Sequence, residues 1–341
     1  MNKRIKFTVK SMLLMMVIVL CISTPVQAKQ GKWKKFAKIH QYEAKGMVYD
    51  YSYSRDKKEV TILNIDINVG AKNKFKTFRL PSKIKGKKVT KIGGWCNDEY
   101  CFRVNVNCDT FIVPNTVKTL HRGCFKGLNA KKVVLPDHIK IIPMYCFQGS
   151  TVREFKMPKK VNKIERGGFY DCQKLKEISL NSSTTQLGED AFWCCKSLEK
   201  IEIPKKITVI PGGCFQGCAK LEKVTINGKI TTIGNGAFSH CKNLKAIRLP
   251  NTVTNIGMAA FGGCERMREI VIPKTITQLR QQLFYKCKSL RTVIIKADKI
   301  IVDSFAFSGC KSLVAFPLEK ITQCDEWAFD ESPFQGYKVG A

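Results

Sequence analysis

Five residues in one stretch carry the donor set of a metal site: Cys96, Cys101, Cys108, His121 and Cys124 offer thiolates and an imidazole, which suit zinc. Their spacing argues against it. No Cys-x-x-Cys pair occurs among them, so a local disulfide or plain core packing is favoured and no metal is expected. The adjacent Cys194 and Cys195 could do redox chemistry, but only Cys195 falls in a regularly recurring position, which makes Cys194 an incidental neighbour. The four histidines, His40, His121, His138 and His240, stand in unrelated contexts. His240 adjoins Cys241, yet consecutive side chains in that frame should point apart. Without a nucleophile and its base, paired carboxylates or a phosphate cradle, no enzymatic activity and no cofactor are expected.

The remaining cysteines have a different logic. Cys172, Cys195, Cys218, Cys241, Cys264, Cys287 and Cys310 recur at intervals of 23 residues. Neighbours in such a column would lie roughly 5 Å apart with parallel Cβ directions, whereas a disulfide wants its Cβ atoms turned towards each other at about 3.8 Å. Buried free thiols, acting as small apolar fillers, are therefore expected. Of the 16 cysteines, Cys21 lies in the leader described below, and the odd number left cannot all pair within one chain.

What positions these residues is a repeat. Phenylalanine recurs at Phe125, Phe147, Phe169, Phe192, Phe215, Phe238, Phe261, Phe284, Phe307 and Phe329, at intervals of 22 or 23 residues. The frame is clear in Ile201-Glu202-Ile203-Pro204, followed by Ile207, Ile210, Phe215, Cys218 and Leu221. Alternating Ile201 and Ile203 read as a strand that Pro204 ends, and the later apolar residues turn the chain back to the core. One coil buries too little to stand alone, so the coils must stack into a solenoid with a parallel sheet and one interior.

The pattern Ile-x-Ile-Pro-x-x-Ile-x-x-Ile-x-x-x-x-Phe-x-x-Cys-x-x-Leu resembles the BspA-like class of bacterial leucine-rich repeats. The resemblance covers residues 79–329, about ten to eleven repeats, with an early unit from Leu80 to Phe102 stretched by an insertion at Gly94 to Tyr100. The entry segment Phe78-Arg79-Leu80-Pro81, with Gly86, Val89 and Ile92, also fits. At Asn181, Asn227, Lys296 and in the Phe316 unit the proline is absent or shifted, which leaves the local strand endings open. The resemblance implies a β-rich, right-handed superhelix with a parallel sheet on one face. It also implies attachment to host matrix or to other cells.

Residues 29–78 do not repeat. Met47 to Tyr53 and Glu59 to Ile67 alternate as strands around Ser54-Arg55-Asp56-Lys57-Lys58, predicting a hairpin that serves as a small N-terminal β cap. Residues 330–341 form a short tail in which only Phe334 and Tyr337 could cover the last coil. Ahead of the cap, Lys3, Arg4, Lys6 and Lys10 precede the apolar run Met12 to Ile22, and Val26-Gln27-Ala28 follows as a cleavage site. Residues 1–28 thus read as a signal peptide, too short in its apolar run to span a membrane. Lipid attachment at Cys21 is disfavoured by Leu20 before it. A secreted or bacterial cell-surface protein follows, with no membrane span after leader cleavage and a monomer as the expected state.

The 59 Lys and Arg against 27 Asp and Glu give a formal charge of +32, which points to polyanionic surroundings. Intracellular nucleic-acid binding would suit the charge, but it conflicts with the leader and lacks a domain motif. Two binding surfaces are predicted. On the sheet, residues two and four before each proline position face outward, giving a ribbon that includes Ile112, Val134, Lys156, Lys200, Lys223, Arg248, Val271 and Ile294. Its ends are apolar, as protein contacts require, although β-branched residues also simply favour strands. The second is the acid-free basic run Lys72, Lys74, Lys76, Arg79, Lys83, Lys85, Lys87, Lys88 and Lys91, suited to cell-wall polymer or sulfated glycans. Lysines beside the cysteine column, at Lys196, Lys242, Lys288 and Lys311, would extend that charge as a stripe. Extracellular proteins or surface glycans are the expected partners.

Overall fold

The computed structural model of the protein describes residues 38–67, 74–94 and 104–339. The leader at 1–28, Lys72, Cys96, Cys101 and Phe102 lie outside the described residues. From Lys38 onward the chain forms one compact unit. Among the described residues there is no α-helix.

The chain starts with β1 (His40–Ala44), β2 (Met47–Tyr53) and β3 (Glu59–Ile67), each antiparallel to the next. Alternation in β2 and β3 puts Met47, Tyr49, Tyr51, Val60, Ile62 and Ile65 in the interior, which is why these segments pair as a hairpin. The two-residue link Lys45-Gly46 has φ of 53° and 74°, the left-handed pair that matches hairpin twist and that glycine makes accessible. β3 then pairs in parallel with β6 (Lys87–Ile92), so the hairpin joins the first coil through its own strand. β4 (Lys74–Arg79) runs parallel to β7 (Asn107–Ile112), with Phe78 opposite Phe111.

Beyond this point the coils repeat. Strands Lys74–Arg79, Asn107–Ile112, Asn129–Val134, Glu154–Lys156 and Glu177–Ser179 make one five-stranded parallel sheet. Further along, Lys200–Ile203 pairs with Lys223–Ile226, and Glu269–Ile272 with Thr292–Ile295. A second line of short parallel strands, such as Val209–Ile210 beside Thr232–Ile233, sends Ile210 and Ile233 into the same interior. The protein is thus a β-solenoid with parallel sheets. The segment from Ala246 to Leu249 keeps the expected alternation, with Ile247 and Leu249 buried, but does not pair as a strand.

Absent prolines have a local explanation. Where proline stands, a ladder donor is lost. At Asn227 and Lys296 the backbone N–H is present and donates to Ile203 O at 3.0 Å and to Ile272 O at 3.0 Å, so pairing runs one residue further. Asn181 turns the chain with its side chain instead: Nδ2 donates to Pro158 O at 2.7 Å, and Oδ1 accepts from Ser183 N at 2.9 Å.

The phenylalanines form a ladder through the interior. Phe192 and Phe215 have ring centroids 5.3 Å apart and planes at 0°, Phe215 and Phe238 5.4 Å and 9°, and Phe238 and Phe261 5.7 Å and 1°. Since stacked strands are separated by about 4.8 Å, these centroid distances describe parallel rings slightly offset, the arrangement that avoids face-to-face quadrupole repulsion. The cysteine column runs beside them. Cys218 Sγ lies 3.2 Å from Phe192 O, Cys241 Sγ 3.2 Å from Phe215 O and Cys264 Sγ 3.3 Å from Phe238 O, each thiol donating to the phenylalanine carbonyl of the preceding coil. Cysteine is therefore more than a small filler: it adds a weak donor that alanine would lack. These cysteines are free and fully buried.

Among the described residues no three His, Cys, Asp or Glu side chains are grouped so that they could hold a metal ion. Cys124 belongs to the core, with its Sγ 3.5 Å from Cys146 Sγ in the next coil, and Cys108 lies in a sheet strand. Cys194 and Cys195 diverge as expected: Cys195 is buried, while Cys194 is half-exposed in a left-handed turn with φ 53°. His240 is exposed, and Cys241 beside it is buried. At the far end Phe334 and Tyr337 pack on Phe329, with centroids 5.9 and 6.2 Å away, and Tyr337 Oη donates to Leu318 O at 3.2 Å.

Candidate functional site: the sheet ribbon and its basic margin

Strand alternation fixes which side chains the sheet offers. Phe111, Val113, Val133, Ile201, Ile203, Ile270, Ile272, Val293 and Ile295 point inward and are buried. The intervening residues form the outer ribbon predicted from the repeat. Val134, Val271 and Ile294 are 39%, 42% and 41% exposed, Ile112 is half-buried, and Lys156, Lys200, Lys223 and Arg248 are exposed.

Register determines which of these touch. Ile112 stands directly opposite Val134, and Arg79 directly opposite Ile112, so one apolar pair sits at the cap-proximal end with a guanidinium at its margin. Val271 stands directly opposite Ile294, forming a second apolar pair near the other end. Between them the ribbon is polar. Lys200 is opposite Lys223, and the like charges are relieved by Glu177, whose carboxylate lies 3.7 Å from Lys200 Nζ. Arg248 falls in the segment that does not pair as a strand, so it interrupts the hydrogen-bonded ribbon.

The basic run does not form one stripe. Lys74, Lys76 and Arg79 lie on β4 at the margin of the face sheet, whereas β5 (Lys83–Ile84) and β6 make a hairpin around Lys85-Gly86. Both turn residues have positive φ, 45° and 76°, which folds the lysine-rich segment sharply back on itself. Lys83 therefore stands directly opposite Lys88, with Lys85 and Lys87 in the same hairpin. Lys91 is exposed further along β6.

Acidic residues locally answer the charge. Lys131 Nζ is 2.7 Å from Asp109, and this hydrogen-bonded ammonium, reinforced by Lys74 and Lys76, holds the Asp109 carboxyl below its ordinary range. Glu265 bridges Lys242 and Lys288 at 3.3 Å each, and Glu331 lies 3.8 Å from Lys311. The lysines beside the cysteine column are thus partly neutralised, and as exposed pairs they add little stability. The hairpin at residues 83–88 brings Lys83, Lys85, Lys87 and Lys88 together, with Glu59 opposite Lys88 on the neighbouring strand.

One group of residues escaped the sequence reading. Tyr145, Tyr170 and Trp193 meet at the turn side of the solenoid with Arg122, Arg166 and Asp190, around a depression of about 380 Å³. They come from different frame positions, Tyr145 two residues before a ladder phenylalanine and the other two one residue after, so no column in the sequence displays them.

Parallel coils, one apolar interior and a flat outward sheet define a leucine-rich-repeat solenoid. The chain belongs to the BspA type Leucine rich repeat family, whose model matches residues 60–153, 97–221, 140–267 and 210–335. Among solved structures, a leucine-rich repeat protein from Bacteroides ovatus is similar at 22% identity over 83% of this chain and 78% of that one, with a TM-score of 0.64. The pneumococcal vaccine antigen PcpA matches over 88% of this chain and 99% of that one, at 17% identity and a TM-score of 0.38. A leucine rich cell surface protein from Faecalibacterium prausnitzii matches over 86% and 98%, at 19% identity and a TM-score of 0.36. Only the first of these likenesses bears on the architecture, and it bears on the fold alone. No curated protein matches significantly. Among the described residues no helix is long and apolar enough to cross a membrane.

Proposed function

We propose that the protein is a non-enzymatic, exported or cell-surface binding protein that uses the sheet ribbon for protein–protein adhesion. The observation that carries this reading is the pair Val271 and Ile294, directly opposite each other and each about two-fifths exposed, on a rigid sheet whose reverse side is core. Isolated exposed apolar residues are ordinary on any surface. Two in register, flanked by Glu269 and Thr292, form a small apolar centre with a polar rim, the composition of a protein contact. Stacked coils repeat that presentation at fixed spacing, which suits an extended partner. The leader-like residues 1–28 support export.

A second reading, binding of cell-wall polymer or sulfated glycan, is favoured by the hairpin at 83–88, where like charges face each other across two short strands. Such an arrangement is destabilising by itself and is relieved by an anion.

Binding to immobilised extracellular matrix proteins and to heparin, measured with the wild type, a Val271→Asp/Ile294→Asp variant and a Lys83→Glu/Lys88→Glu variant, separates the two. Adhesion through the ribbon is expected to weaken at least about tenfold in the first variant. It is also expected to persist when salt rises from about 50 to about 500 mM, because the contact is apolar. Matrix binding unchanged by the two aspartates overturns the ribbon reading. Binding that collapses with salt and in the lysine variant establishes the hairpin instead.

A further inference from the structure

The margin of the apolar pair Val271 and Ile294 is more specific than a polar rim. Each coil enters the face sheet through one residue of a column joined by backbone hydrogen bonds: Arg268 N donates to Lys245 O at 3.1 Å, and Arg291 N to Arg268 O at 2.8 Å. Elsewhere in this column three cations have a carboxylate from the adjacent coil. Lys131 lies 2.7 Å from Asp109, Lys176 3.7 Å from Glu199, and Lys245 3.7 Å from Glu222. Arg268 and Arg291 adjoin each other and are exposed, and among the described residues neither has a carboxylate in ion-pairing range. Adjacent strands are about 4.8 Å apart, so two like charges face each other there, which destabilises unless an anion lies between them.

These arginines belong to the same two coils as Val271 and Ile294. Other cations complete the margin. Arg248 occupies the position of Val271 in the preceding coil, and Lys296 follows Ile294 by two residues. Both are exposed, and neither is ion-paired among the described residues. Glu269, opposite Thr292, is the one acid in the two strands. An apolar centre is thus edged by four cations and one carboxylate.

This combination narrows the partner. A sulfated polysaccharide would answer the charge, but it has no aliphatic or aromatic side chain to cover Val271 and Ile294. A neutral apolar surface would cover the pair and leave the arginines facing each other. Carboxylates suit the guanidinium fork, and arginine beside a buried apolar centre is the composition of protein contacts. We infer that the partner of the ribbon is an acidic polypeptide segment. Its aliphatic or aromatic side chain sits on Val271 and Ile294, with carboxylates on Arg268 and Arg291 to one side and on Arg248 or Lys296 at the rest of the margin. This inference rests on the adhesion reading of the ribbon and goes beyond it by fixing the chemistry of what is bound.

Selection from a random peptide library displayed on phage, with the intact protein as target and Val271→Thr/Ile294→Thr as counter-target, tests both. The threonine pair keeps the net charge and the strand preference, so it removes peptides that merely adhere to a basic surface. Retained peptides are expected to join an aliphatic or aromatic residue to at least two Asp or Glu. Their affinity should fall at least about tenfold for Arg268→Glu/Arg291→Glu. Lys205→Glu/Lys206→Glu changes the net charge equally at exposed positions off the ribbon and should alter affinity by less than about twofold. Glu269→Gln removes the one opposing carboxylate and should strengthen binding about two- to fivefold. Selection on the Arg268→Glu/Arg291→Glu protein should return Lys or Arg where the wild type returns Asp or Glu. Higher salt should slow association of the wild type while leaving dissociation nearly unchanged, since charges at a rim act mainly on encounter. Retained peptides that are neutral or basic, or whose affinity ignores the two arginines or falls with Glu269→Gln, overturn the acidic partner and leave the ribbon standing. A library that yields no peptide sensitive to the threonine pair overturns the ribbon reading itself, and the inference with it.

Discussion

Replacing Phe215 with alanine is expected to destabilise the protein by about 3 to 5 kcal/mol, the range for a fully buried phenylalanine. The ring has no exposed surface and lies 5.3 Å from Phe192 and 5.4 Å from Phe238, so two stacking contacts are lost with it. Neighbouring coils cannot collapse into the gap, because their backbones are held apart at the strand spacing by hydrogen bonds on either side: Phe192 N donates to Cys214 O at 2.8 Å, and Phe215 N to Ala237 O at 2.8 Å. Val209→Ala serves as the control. Its side chain is 43% exposed on the second sheet, and the change should cost no more than about 0.5 to 1 kcal/mol. Urea unfolding followed by circular dichroism compares the two, and similar midpoints for both variants would contradict a shared aromatic core.

Alkali is expected to unfold the protein steeply. Burial raises the thiols of Cys146, Cys195, Cys214, Cys241 and Cys287 well above their ordinary value, and that of Cys310 to about 12. In the unfolded chain the same thiols ionise near 9, so from that pH upward the unfolded state holds fewer protons than the folded one. Stability conferred by the protonated core is therefore complete below about pH 8 and lost as pH rises through 9 towards the folded values. Each thiol removes a little over about 1 kcal/mol per pH unit, and six acting together remove on the order of 8. Total stability of about 5 to 15 kcal/mol would be exhausted within one to two units. A circular-dichroism titration under reductant should show cooperative loss of structure between about pH 9 and 11. A Cys214→Ala/Cys241→Ala variant should show a shallower slope, by about 3 kcal/mol per pH unit. A fold that persists unchanged to the top of that range would contradict buried, protonated thiols.

Much of this architecture was legible because the repeat reports it directly. A phenylalanine every 22 or 23 residues has only one inexpensive place to be, beside its counterpart in the next coil, and the in–out alternation of Ile201, Glu202 and Ile203 follows from strand geometry alone. The hairpin Met47–Tyr53 with Glu59–Ile67 was equally visible from alternation. What was not legible depends on contacts between coils or on sharp turns. The donation from each cysteine thiol to a phenylalanine carbonyl spans 25 or 26 residues and has no signature in a single unit. The basic run looked continuous because sequence order hides both the change of sheet between β4 and β5 and the fold-back at Lys85-Gly86. Arg248 looked like every other ribbon residue, yet its segment forms no paired strand. The depression at Tyr145 needed two different frame positions to meet across three coils, and a search by column cannot bring them together.

The ribbon, the hairpin and the turn-side depression all keep their shape because the coils share one interior. Amide hydrogen exchange by mass spectrometry on a Phe238→Ala variant tests that most directly. Loss of the ring is expected to raise exchange in its own coil and in both neighbours, reaching the strands Lys200–Ile203 and Asn255–Ile256, since each stack transmits the cavity to the next layer. Faster exchange confined to the coil that carries residue 238, with the adjacent strands as protected as in the wild type, would show separate cores and contradict the account.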